Sequence, residues 1–432
     1  MPADSVEVMD LRAPAPVPSG HLSALRAAEA LGPSSADDAL AHSSALRSAG
    51  HSPEETAWAL SQRAFRASAA PRLGARAASM LFTRAGLEQA SRAELAARHA
   101  RLVVEAGARR VVDAGCGLGT DSLAFLDAGL EVVAVEIDPE TASLTAWNLA
   151  QHPRGGSARV VVGDVVALME AGAFEDEWAD WSVWFDPARR EGGPQGRRRR
   201  FDPEAFSPPL SRIARLAERS SGRVIAAKLG PALDAADAPQ GFDVDWTTHR
   251  RETSEALILG PRESPRLRAV VISESGEDVR ERPRATETAE PPATAPSIEP
   301  GDVLWEPAGS VMRAGLVEDL AVELDADLLA PEIAYLLSPA AAWPGTARHP
   351  FAAAYRVREV LPLHTKRLKA WVARNAVTEL TIKKRGIDAD PAQWRKTLLA
   401  GSKPGRKPRR PATIVLTRHG ENRVAVVVEP EA

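Results

Sequence analysis

Residues 111–121 read VVDAGCGLGTD, and this stretch decides the fold class of the middle of the chain. Two β-branched residues lead to an acidic residue, Asp113, and glycines follow at every second position, at Gly115, Gly117 and Gly119. A segment with helical character begins directly afterwards. A strand, a glycine-rich turn and a helix N-terminus in this order predict the ligand-binding corner of an α/β fold.

The spacing of the three glycines narrows the class of ligand. A dinucleotide fingerprint needs G-x-G-x-x-G, and here the third glycine comes one residue too early. Asp113 also places a negative charge at the mouth of the loop, which repels a pyrophosphate and attracts a cation. S-adenosylmethionine carries a sulfonium and an ammonium group. The loop therefore favours this ligand over NAD or ATP, with Asp113, Gly115, Gly117 and Gly119 as its binding residues and the loop amides holding its methionine part.

The segments around the loop alternate between short apolar runs and amphipathic stretches. Helices are predicted at 122–128 and 139–150, and strands at 111–114, 131–137, 159–162, 181–185, 223–228, 244–248, 255–259 and 267–272. Strands that alternate with helices indicate βαβ units and a parallel sheet. The predicted fold class is α/β: a Rossmann-like, doubly wound sheet, with an N-terminal helical subdomain and a smaller C-terminal α+β domain.

Changes in composition divide the chain into five parts. Residues 1–35 are rich in Pro, Ala and Ser, and we expect them to be disordered. Residues 36–107 have a helical pattern, with a predicted capping box at 91–94. The S-adenosylmethionine-binding domain is expected over 108–275, a linker rich in Glu, Pro and Thr over 276–300, and the C-terminal domain over 301–432. The C-terminal domain is predicted to contain helices at 311–329 and 365–375 and strands at 379–383, 413–417 and 424–428.

The overall composition excludes several classes of protein. The chain has 432 residues, a formal net charge of −4 and one cysteine, so nucleic-acid contacts would need local basic patches and no intrachain disulfide can form. No apolar run approaches the roughly 20 residues that cross a bilayer, and the first residues do not resemble a signal peptide. No metal-ligand pattern is present. We expect a cytoplasmic protein that neither associates with a membrane nor binds a metal ion.

Acidic residues follow three predicted strands, where a doubly wound sheet binds its ligand. Glu136 is expected to accept hydrogen bonds from ribose hydroxyls; its alternative role is contact with a neighbouring helix N-terminus. Asp164 could accept a hydrogen bond from an adenine amino group or cap the next helix. Asp186 is expected to position the acceptor atom of a reaction, with a structural turn as the alternative.

Basic residues follow Asp186 and recur near the C-terminus. Arg189 and Arg190 could bind phosphate through their forked donors or remain solvated, and the same choice applies to 197–200 and 403–410. Lys228 could contact substrate or form a salt bridge with a neighbour. We assign Asp186 and Arg189 to catalysis, and to substrate binding Arg190, Lys228, Lys383, Lys384 and Arg385.

Cys116 lies inside the glycine-rich turn. A nucleophilic thiol needs a general base or a cationic environment, and the turn offers neither. We interpret Cys116 as a small residue that the turn tolerates. Since methylation of pyrimidine C5 commonly needs a thiolate, this interpretation disfavours that chemistry.

With these residues identified, the stretch from Asp113 to Leu259 resembles class I S-adenosylmethionine-dependent methyltransferases. More narrowly, residues 81–83 (LFT), 87–90 (LEQA), 186–190 (DPARR) and 382–386 (IKKRG) resemble a bacterial group with a C-terminal THUMP-like domain. The core is also similar to trimethylguanosine synthases, whose acceptor motif is Asp-Pro-Pro-aromatic; Ala188 and Arg189 replace its last two residues here. Since THUMP domains accompany RNA-modifying enzymes, the resemblance implies RNA as substrate by analogy.

These observations lead to one expected function and two alternatives. The expected function is transfer of a methyl group from S-adenosylmethionine to a nitrogen or oxygen of RNA. One alternative is a methyltransferase that acts on a small molecule or a protein. The other is a non-catalytic, cofactor-binding module that binds RNA.

Overall fold

The computed structural model describes residues 7–9, 17–32, 38–189, 202–220, 222–285, 292–345, 348–400 and 410–430. The chain divides into two compact units. Unit 1 comprises Met1–Leu229, Ala236–Phe242 and Leu257–Glu263, and unit 2 comprises Gly230–Ala235, Asp243–Ala256 and Ser264–Ala432. The boundary therefore differs from the predicted 276–300, because residues 243–256 and 264–275 belong to unit 2.

Unit 1 begins with a strand and a group of helices and continues as an α/β sheet. Its first elements are β1 (Glu7–Met9), α1 (Ser19–Ala30), α2 (Ala39–Ser48), α3 (Pro53–Leu73), α4 (Arg84–Gln89) and α5 (Ala93–Glu105). The α/β part contains β2 (Arg110–Ala114), α6 (Thr120–Asp127), β3 (Glu131–Glu136), α7 (Pro139–Ala150), β4 (Ala158–Val162), α8 (Val165–Glu170), β5 (Ser182–Phe185), β6 (Ala188–Arg189), β7 (Phe206–Ser207), α9 (Leu210–Glu218) and β8 (Ile225–Leu229).

The strand order of this sheet positions the candidate site. The described strands run in the order β1-β4-β3-β2-β5-β8, and β2, β3, β4, β5 and β8 are parallel. Asp113 on β2 lies opposite Ala134 on β3 and Trp184 on β5. From β2 the chain adds β3 and then β4 toward one edge of the sheet. It then returns and places β5 on the other side of β2. The crevice at the carboxyl ends of β2 and β5 is therefore the topological switch point, where such folds bind ligands.

The N-terminal helices pack on the sheet and on each other. The disorder expected over 1–35 is wrong for 19–30, because Ala24, Leu25 and Ala28 of α1 are buried in the core. Helix α3 begins with a capping box, in which Ser52 accepts from the Glu55 amide and the Glu55 carboxylate accepts from the Ser52 amide. This arrangement confirms a helical subdomain before the sheet and extends it to residue 19.

An extended segment, 80–83, lies between α3 and α4 and is tied by side chains to α3 and to the glycine-rich loop region. The Gln62 side chain bonds both backbone groups of Phe82, at 2.8 and 2.9 Å. Asn148 of α7 accepts from the Leu81 amide at 2.8 Å and donates to the carbonyls of Leu81 and Leu118 at 3.1 and 3.0 Å. Asn148 thus fixes the position of residue 118, within the glycine-rich loop, relative to the N-terminal helices.

Unit 2 contains two groups of strands. The first has β9 (Asp243–His249), the 252–256 part of β10 (Glu252–Gly260), β11 (Arg266–Ser273) and β12 (Gly276–Pro283). Strand β12 pairs with β11 from Ser273↔Gly276 to Arg266↔Pro283, so the linker expected from 276 is wrong as far as 283. Its residues alternate between exposed and half-buried positions, and this polar edge strand has the composition of a linker.

The second group of unit 2 is a separate antiparallel-rich sheet with helices. The described strands follow the order β14-β15-β13-β16-β19-β18-β17. The helix expected over 311–329 is two short helices and a strand. The elements are β13 (Val303–Pro307), α10 (Gly309–Arg313), α11 (Val317–Glu323), β14 (Asp327–Ala330), β15 (Ile333–Ser338), β16 (Ala352–Pro362), α12 (Thr365–Arg374), β17 (Glu379–Lys384), α13 (Pro391–Leu399), β18 (Pro411–His419) and β19 (Asn422–Pro430).

None of the described helices combines the length and the apolar composition that a membrane span requires.

Candidate active site

The glycine-rich loop after β2 brings two strand ends into close contact. Gly115 has a φ of +93°, and a Cβ at this position would lie 3.0 Å from the backbone oxygen of Asp186. The Asp186 amide in turn donates to the carbonyl of Ala114 at 3.2 Å. Only glycine combines this backbone conformation with such a close approach. The loop therefore places Asp186 directly beside the ligand-binding turn.

The amides of the loop already have protein acceptors. Those of Gly115 and Cys116 both donate to the carbonyl of Val135 at 3.0 Å, and that of Gly119 donates to Cys116 at 2.9 Å. The Gly117 amide donates to Glu136 Oε2 at 3.0 Å. These four amides are engaged within the protein, and contact of the loop with the methionine part of a ligand stays a prediction.

Asp113 is buried at the end of β2 and has one unused oxygen. Its Oδ2 accepts a hydrogen bond from the Ser122 hydroxyl, whereas its Oδ1 has no partner among the described residues. Burial is the main cause that raises the pKa of Asp113 to about 8; the nearby Asp121 and Asp186 carboxylates contribute to the rise, and the Ser122 hydrogen bond opposes it. A buried acceptor without a donor favours a ligand that brings a cationic N–H group.

The two other acidic strand ends have local partners. The Glu136 carboxylate accepts from the amides of Gly117 and Asp138, at 3.0 and 2.9 Å, and burial raises its pKa. Asp164 is exposed and caps α8 by accepting from the Val166 amide at 2.7 Å. The capping role anticipated for Asp164 is therefore present. Its second oxygen has no part in that cap, so an adenine contact stays a prediction.

Asp186 forms an ion pair with Lys228, which ends the fifth parallel strand. The Lys228 ammonium lies 2.5 Å from Asp186 Oδ2, and the lysine side chain is only 15% exposed. Burial raises the pKa of Asp186, while the lysine lowers it. Of the two roles considered for Lys228, the structure shows the salt bridge, which occupies the ammonium that substrate binding would need.

Behind this pair lies a buried polar network that sequence reasoning did not find. Lys228 donates to Ser91 Oγ at 3.0 Å, and Ser91 donates to Asp121 Oδ2 at 2.7 Å. Asp121 Oδ1 lies 2.7 Å from His99 Nδ1. The His99 ring packs on Trp184, with ring centroids 4.6 Å apart. Ser91, expected to begin a capping box at 91–94, thus binds Asp121 instead. The N-cap of α5 is Arg92, which makes no side-chain cap hydrogen bond, so this expectation is wrong.

Comparisons with known proteins show similarity to methyltransferases and to a THUMP-like family. The model of the THUMP domain-like family matches residues 352–430. An uncharacterized S-adenosylmethionine-dependent methyltransferase of Mycobacterium tuberculosis is 29% identical over 346 residues, which are 79% of this chain and 85% of that protein. A crystal structure of a provisionally named methyltransferase from Porphyromonas gingivalis W83 has a TM-score of 0.73 at 21% identity, over 95% of this chain and 98% of that one. The chain is a class I S-adenosylmethionine-dependent methyltransferase with a C-terminal THUMP-like domain.

One further relative of the methyltransferase matches only a short segment. Ribosomal RNA small subunit methyltransferase A of Mycobacterium tuberculosis is 42% identical over 73 residues, which are 16% of this chain and 23% of that protein. This match is partial in both chains. The name of that relative describes its own substrate.

The loop that follows Asp186 in the methyltransferase returns as a small ribbon. Residues Ala188 and Arg189 form β6, which pairs with β7 through Ala188↔Ser207 and Arg189↔Phe206. The side chain of Arg189 lies outside the described residues, as do Arg190, residues 197–200 and residues 403–409. The phosphate-binding roles predicted for them remain predictions.

Cys116 is buried in the loop of the methyltransferase. Burial raises the pKa of its thiol well above the ordinary value, and the Asp113 and Glu136 carboxylates raise it further. The thiol therefore stays protonated, which supports its interpretation as a small structural residue. Within the described ranges, His, Cys, Asp and Glu side chains form no group of three or more that could hold a metal ion.

The basic residues predicted in the THUMP-like domain have different environments. Lys383 pairs with Glu306 at 2.6 Å, and Glu306 also accepts hydrogen bonds from the hydroxyls of Tyr335 and Tyr355. Arg385 donates to the Ala334 carbonyl and packs over the Tyr335 ring, 4.7 Å from its centroid. Lys384 is exposed on β17. Substrate binding through the Lys383 and Arg385 head groups would therefore compete with these internal contacts.

A cavity of about 720 Å³ lies elsewhere in unit 1. Its lining includes Ser91, Thr120 and Asn148, but none of Asp113, Glu136 or Asp186. The cavity therefore borders the buried network without including the strand ends that carry the candidate chemistry. Strand topology and side-chain chemistry, and not cavity size, indicate the candidate active site.

Proposed function

We propose that this methyltransferase transfers the methyl group of S-adenosylmethionine to a nitrogen or oxygen atom of RNA, with Asp186 at the acceptor. The observation that carries this proposal is the close approach of Asp186 to the glycine-rich loop. The Gly115 Cβ position is 3.0 Å from the Asp186 backbone oxygen, at the switch point between β2 and β5. An acceptor atom bound by the Asp186 carboxylate would thus lie beside the cofactor corner.

The residues at this corner fit S-adenosylmethionine. Asp113 Oδ1 is a buried acceptor without a partner among the described residues, which suits a cationic N–H group. A Cβ on Gly117 would meet nothing within 4 Å, so space for a ligand adjoins the loop. Glu136 accepts two backbone hydrogen bonds and has lone pairs left for ribose hydroxyls. The proposed binding residues are Asp113, Gly115, Gly117, Gly119, Glu136 and Asp164.

The chemistry asks little of the protein beyond alignment. When bound, S-adenosylmethionine supplies a methyl group on a positively charged sulfur. The Asp186 carboxylate accepts a hydrogen bond from the N–H or O–H of the acceptor and so aims its lone pair. When that lone pair displaces the sulfur from the methyl carbon, the carbon–sulfur bond would break, S-adenosylhomocysteine would leave, and Asp186 would take the proton that the acceptor loses. Burial raises the pKa of Asp186, which makes the carboxylate a better base.

Two further observations favour RNA as the acceptor. The THUMP domain-like match covers the C-terminal part of the chain, and the partial relative is named for ribosomal RNA. In the THUMP-like domain Lys384 is exposed, and exposed lysines contribute to phosphate binding. We propose Lys384 as a phosphate contact, together with Arg189 and Arg190 near the acceptor. Lys383 and Arg385 would then orient this strand rather than bind phosphate.

Methyl labelling tests the proposed function. Total RNA from a deletion strain is incubated with the enzyme and methyl-labelled S-adenosylmethionine, digested to nucleosides and analysed by mass spectrometry. A labelled nucleoside that is missing from the deletion strain supports RNA methylation, and Asp186→Asn should not form it. Label that appears only in protein or in small molecules contradicts an RNA acceptor.

A further inference from the structure

Lys228 is held from two sides, and both contacts have a fixed polarity. An ammonium group can only donate hydrogen bonds, so Asp186 Oδ2 at 2.5 Å and Ser91 Oγ at 3.0 Å must both accept from it. Since the Ser91 oxygen accepts from the lysine, its single proton is directed to Asp121 Oδ2 at 2.7 Å. This arrangement of hydrogens satisfies the described contacts of Lys228, Ser91 and Asp121 together.

Asp121 is the fixed end of this chain of hydrogen bonds. Burial alone would raise the pKa of Asp121, but contact with His99 and, at 4.0 Å, with Lys228 lowers it to about 2. The carboxylate is therefore ionised at every pH at which the enzyme works. An ionised carboxylate only accepts, so His99 Nδ1 carries a proton and donates it to Asp121 Oδ1.

The network returns to the strand from which it started. His99 is fully buried, and its ring packs on Trp184, which lies on β5 two residues before Asp186. The groups thus form a circuit that runs through β5, β8, the segment just before α5, the middle of α5 and the start of α6. The contacts along this circuit restrict the position of each side chain, including the Asp186 carboxylate beside the glycine-rich loop.

From this circuit we infer that Lys228 is a positioning residue for Asp186, and that Ser91, Asp121 and His99 hold Lys228 in place. This inference rests on the proposed role of Asp186 at the acceptor. The lysine holds Oδ2 of the carboxylate and leaves Oδ1 to face the substrate. Ser91 matters because it connects the lysine to the buried Asp121–His99 pair without adding charge.

The test measures the Asp186 carboxylate directly. In protein with ¹³C-labelled aspartate, the Asp186 carboxyl signal is identified by its loss in Asp186→Asn and then titrated with pH. In Lys228→Gln the pKa of Asp186 should rise by about one unit or more, because an opposite charge at this distance is lost. In Ser91→Ala a smaller rise of about half a unit is expected, since the lysine is freed to move. The matched control is Ser220→Ala. Ser220 is a buried serine whose hydroxyl donates to the Leu216 carbonyl, and its replacement should leave the titration of Asp186 unchanged.

A kinetic measurement accompanies the titration. Ser91→Ala should lower kcat by about tenfold and leave the KM for S-adenosylmethionine within twofold, because misplacement of the acceptor affects the chemical step. An Asp186 titration in Ser91→Ala that matches wild type overturns the coupling through Ser91. If Ser91→Ala does not fold, an unchanged titration in Lys228→Gln overturns the inference. The titration needs neither RNA nor cofactor, so an intact coupling without RNA labelling overturns only the proposed function.

Discussion

Replacement of Gly115 by alanine tests the contact between the glycine-rich loop and Asp186. The backbone at Gly115 has a φ of +93°, and an L-residue forced into the left-handed region loses about 1–2 kcal/mol. The new Cβ would lie 3.0 Å from the Asp186 backbone oxygen, and overpacking of this kind costs about 1–3 kcal/mol. The free energy of unfolding should therefore fall by roughly 2–5 kcal/mol.

The same substitution should also impair catalysis. Relief of the close contact moves the Asp186 backbone away from the loop, and a displacement of about half an ångström at a reacting group costs about tenfold in rate. We expect kcat for methyl transfer to fall by about tenfold or more. Binding of S-adenosylhomocysteine should weaken as well, because Gly115 both contacts Asp186 and belongs to the proposed cofactor-binding loop.

Gly107→Ala is the matched control for this prediction. Gly107 has a φ of +98°, but a Cβ there meets no heavy atom within 4 Å. This variant should lose only the backbone term of about 1–2 kcal/mol and keep its kcat. Urea unfolding followed by circular dichroism and a methyl-transfer assay measure the two effects. Equal losses of stability and activity in the two variants would refute a specific contact between Gly115 and Asp186.

The further predictions concern four residues, Asp113, Asp186, Asn148 and Lys384. Since the pKa of Asp113 is raised to about 8, its carboxyl is largely protonated below that pH; affinity for S-adenosylmethionine should rise as pH increases from 6.5 to 9 in calorimetric titrations, and Asp113→Asn should bind weakly without this dependence. Because the folded pKa exceeds the ordinary aspartate value of 3.8, wild type should also lose stability as the pH rises between about 4 and 8, and thermal melts of Asp113→Asn should lack that loss. Asp186→Asn should lower kcat by about 10²–10⁴-fold and leave the Kd for S-adenosylhomocysteine within twofold; an unchanged turnover on the true substrate contradicts its assignment. Asn148→Ala leaves the Leu81 amide unbonded, so the free energy of unfolding should fall by about 2–4 kcal/mol in chemical denaturation, whereas a loss below about 0.5 kcal/mol contradicts its bridging role. Lys384→Glu should weaken RNA binding in fluorescence anisotropy and reduce the salt dependence by about one phosphate contact, with cofactor affinity unchanged as its internal control.

The sequence predicts the first part of the sheet well because its signals are local. Strand β2 was expected at 111–114 and spans Arg110–Ala114, and α7 matches its predicted bounds of 139–150. Each β-branched run is bounded by a turn residue, so the period and the ends of the strand are both visible. The acidic residues at the strand ends follow from the same register, since parallel strands all end at one edge of the sheet.

The buried network beside Asp186 could not be predicted in this way. His99 and Asp121 are 22 residues apart, and Ser91 and Lys228 are 137 residues apart. No spacing in the sequence connects them, because the packing of α5 on α6 and on the sheet brings them together. Ser91 also satisfied the pattern of a capping box that the structure does not form, so a misleading local signal concealed a tertiary contact.

The polar edge strand and the first helix were missed for a different reason. Strand β12 has a half-buried, charged composition, and its order depends on pairing with β11 rather than on its own residues. Half of the residues of helix α1 are Ala or Ser, and the helix becomes stable by burying Ala24, Leu25 and Ala28. In both segments the neighbouring structure supplies the stability that the composition does not show.

The most direct test of the proposed active site is calorimetric titration with S-adenosylhomocysteine. Wild type should bind one equivalent per chain. Gly117→Arg should not bind, because the side chain at this position enters the open space beside the loop. Saturable binding of one equivalent to wild type and none to the variant supports a cofactor site at this corner. Equal affinity in wild type and Gly117→Arg would place the cofactor elsewhere and contradict the assignment of Asp186 as its neighbour.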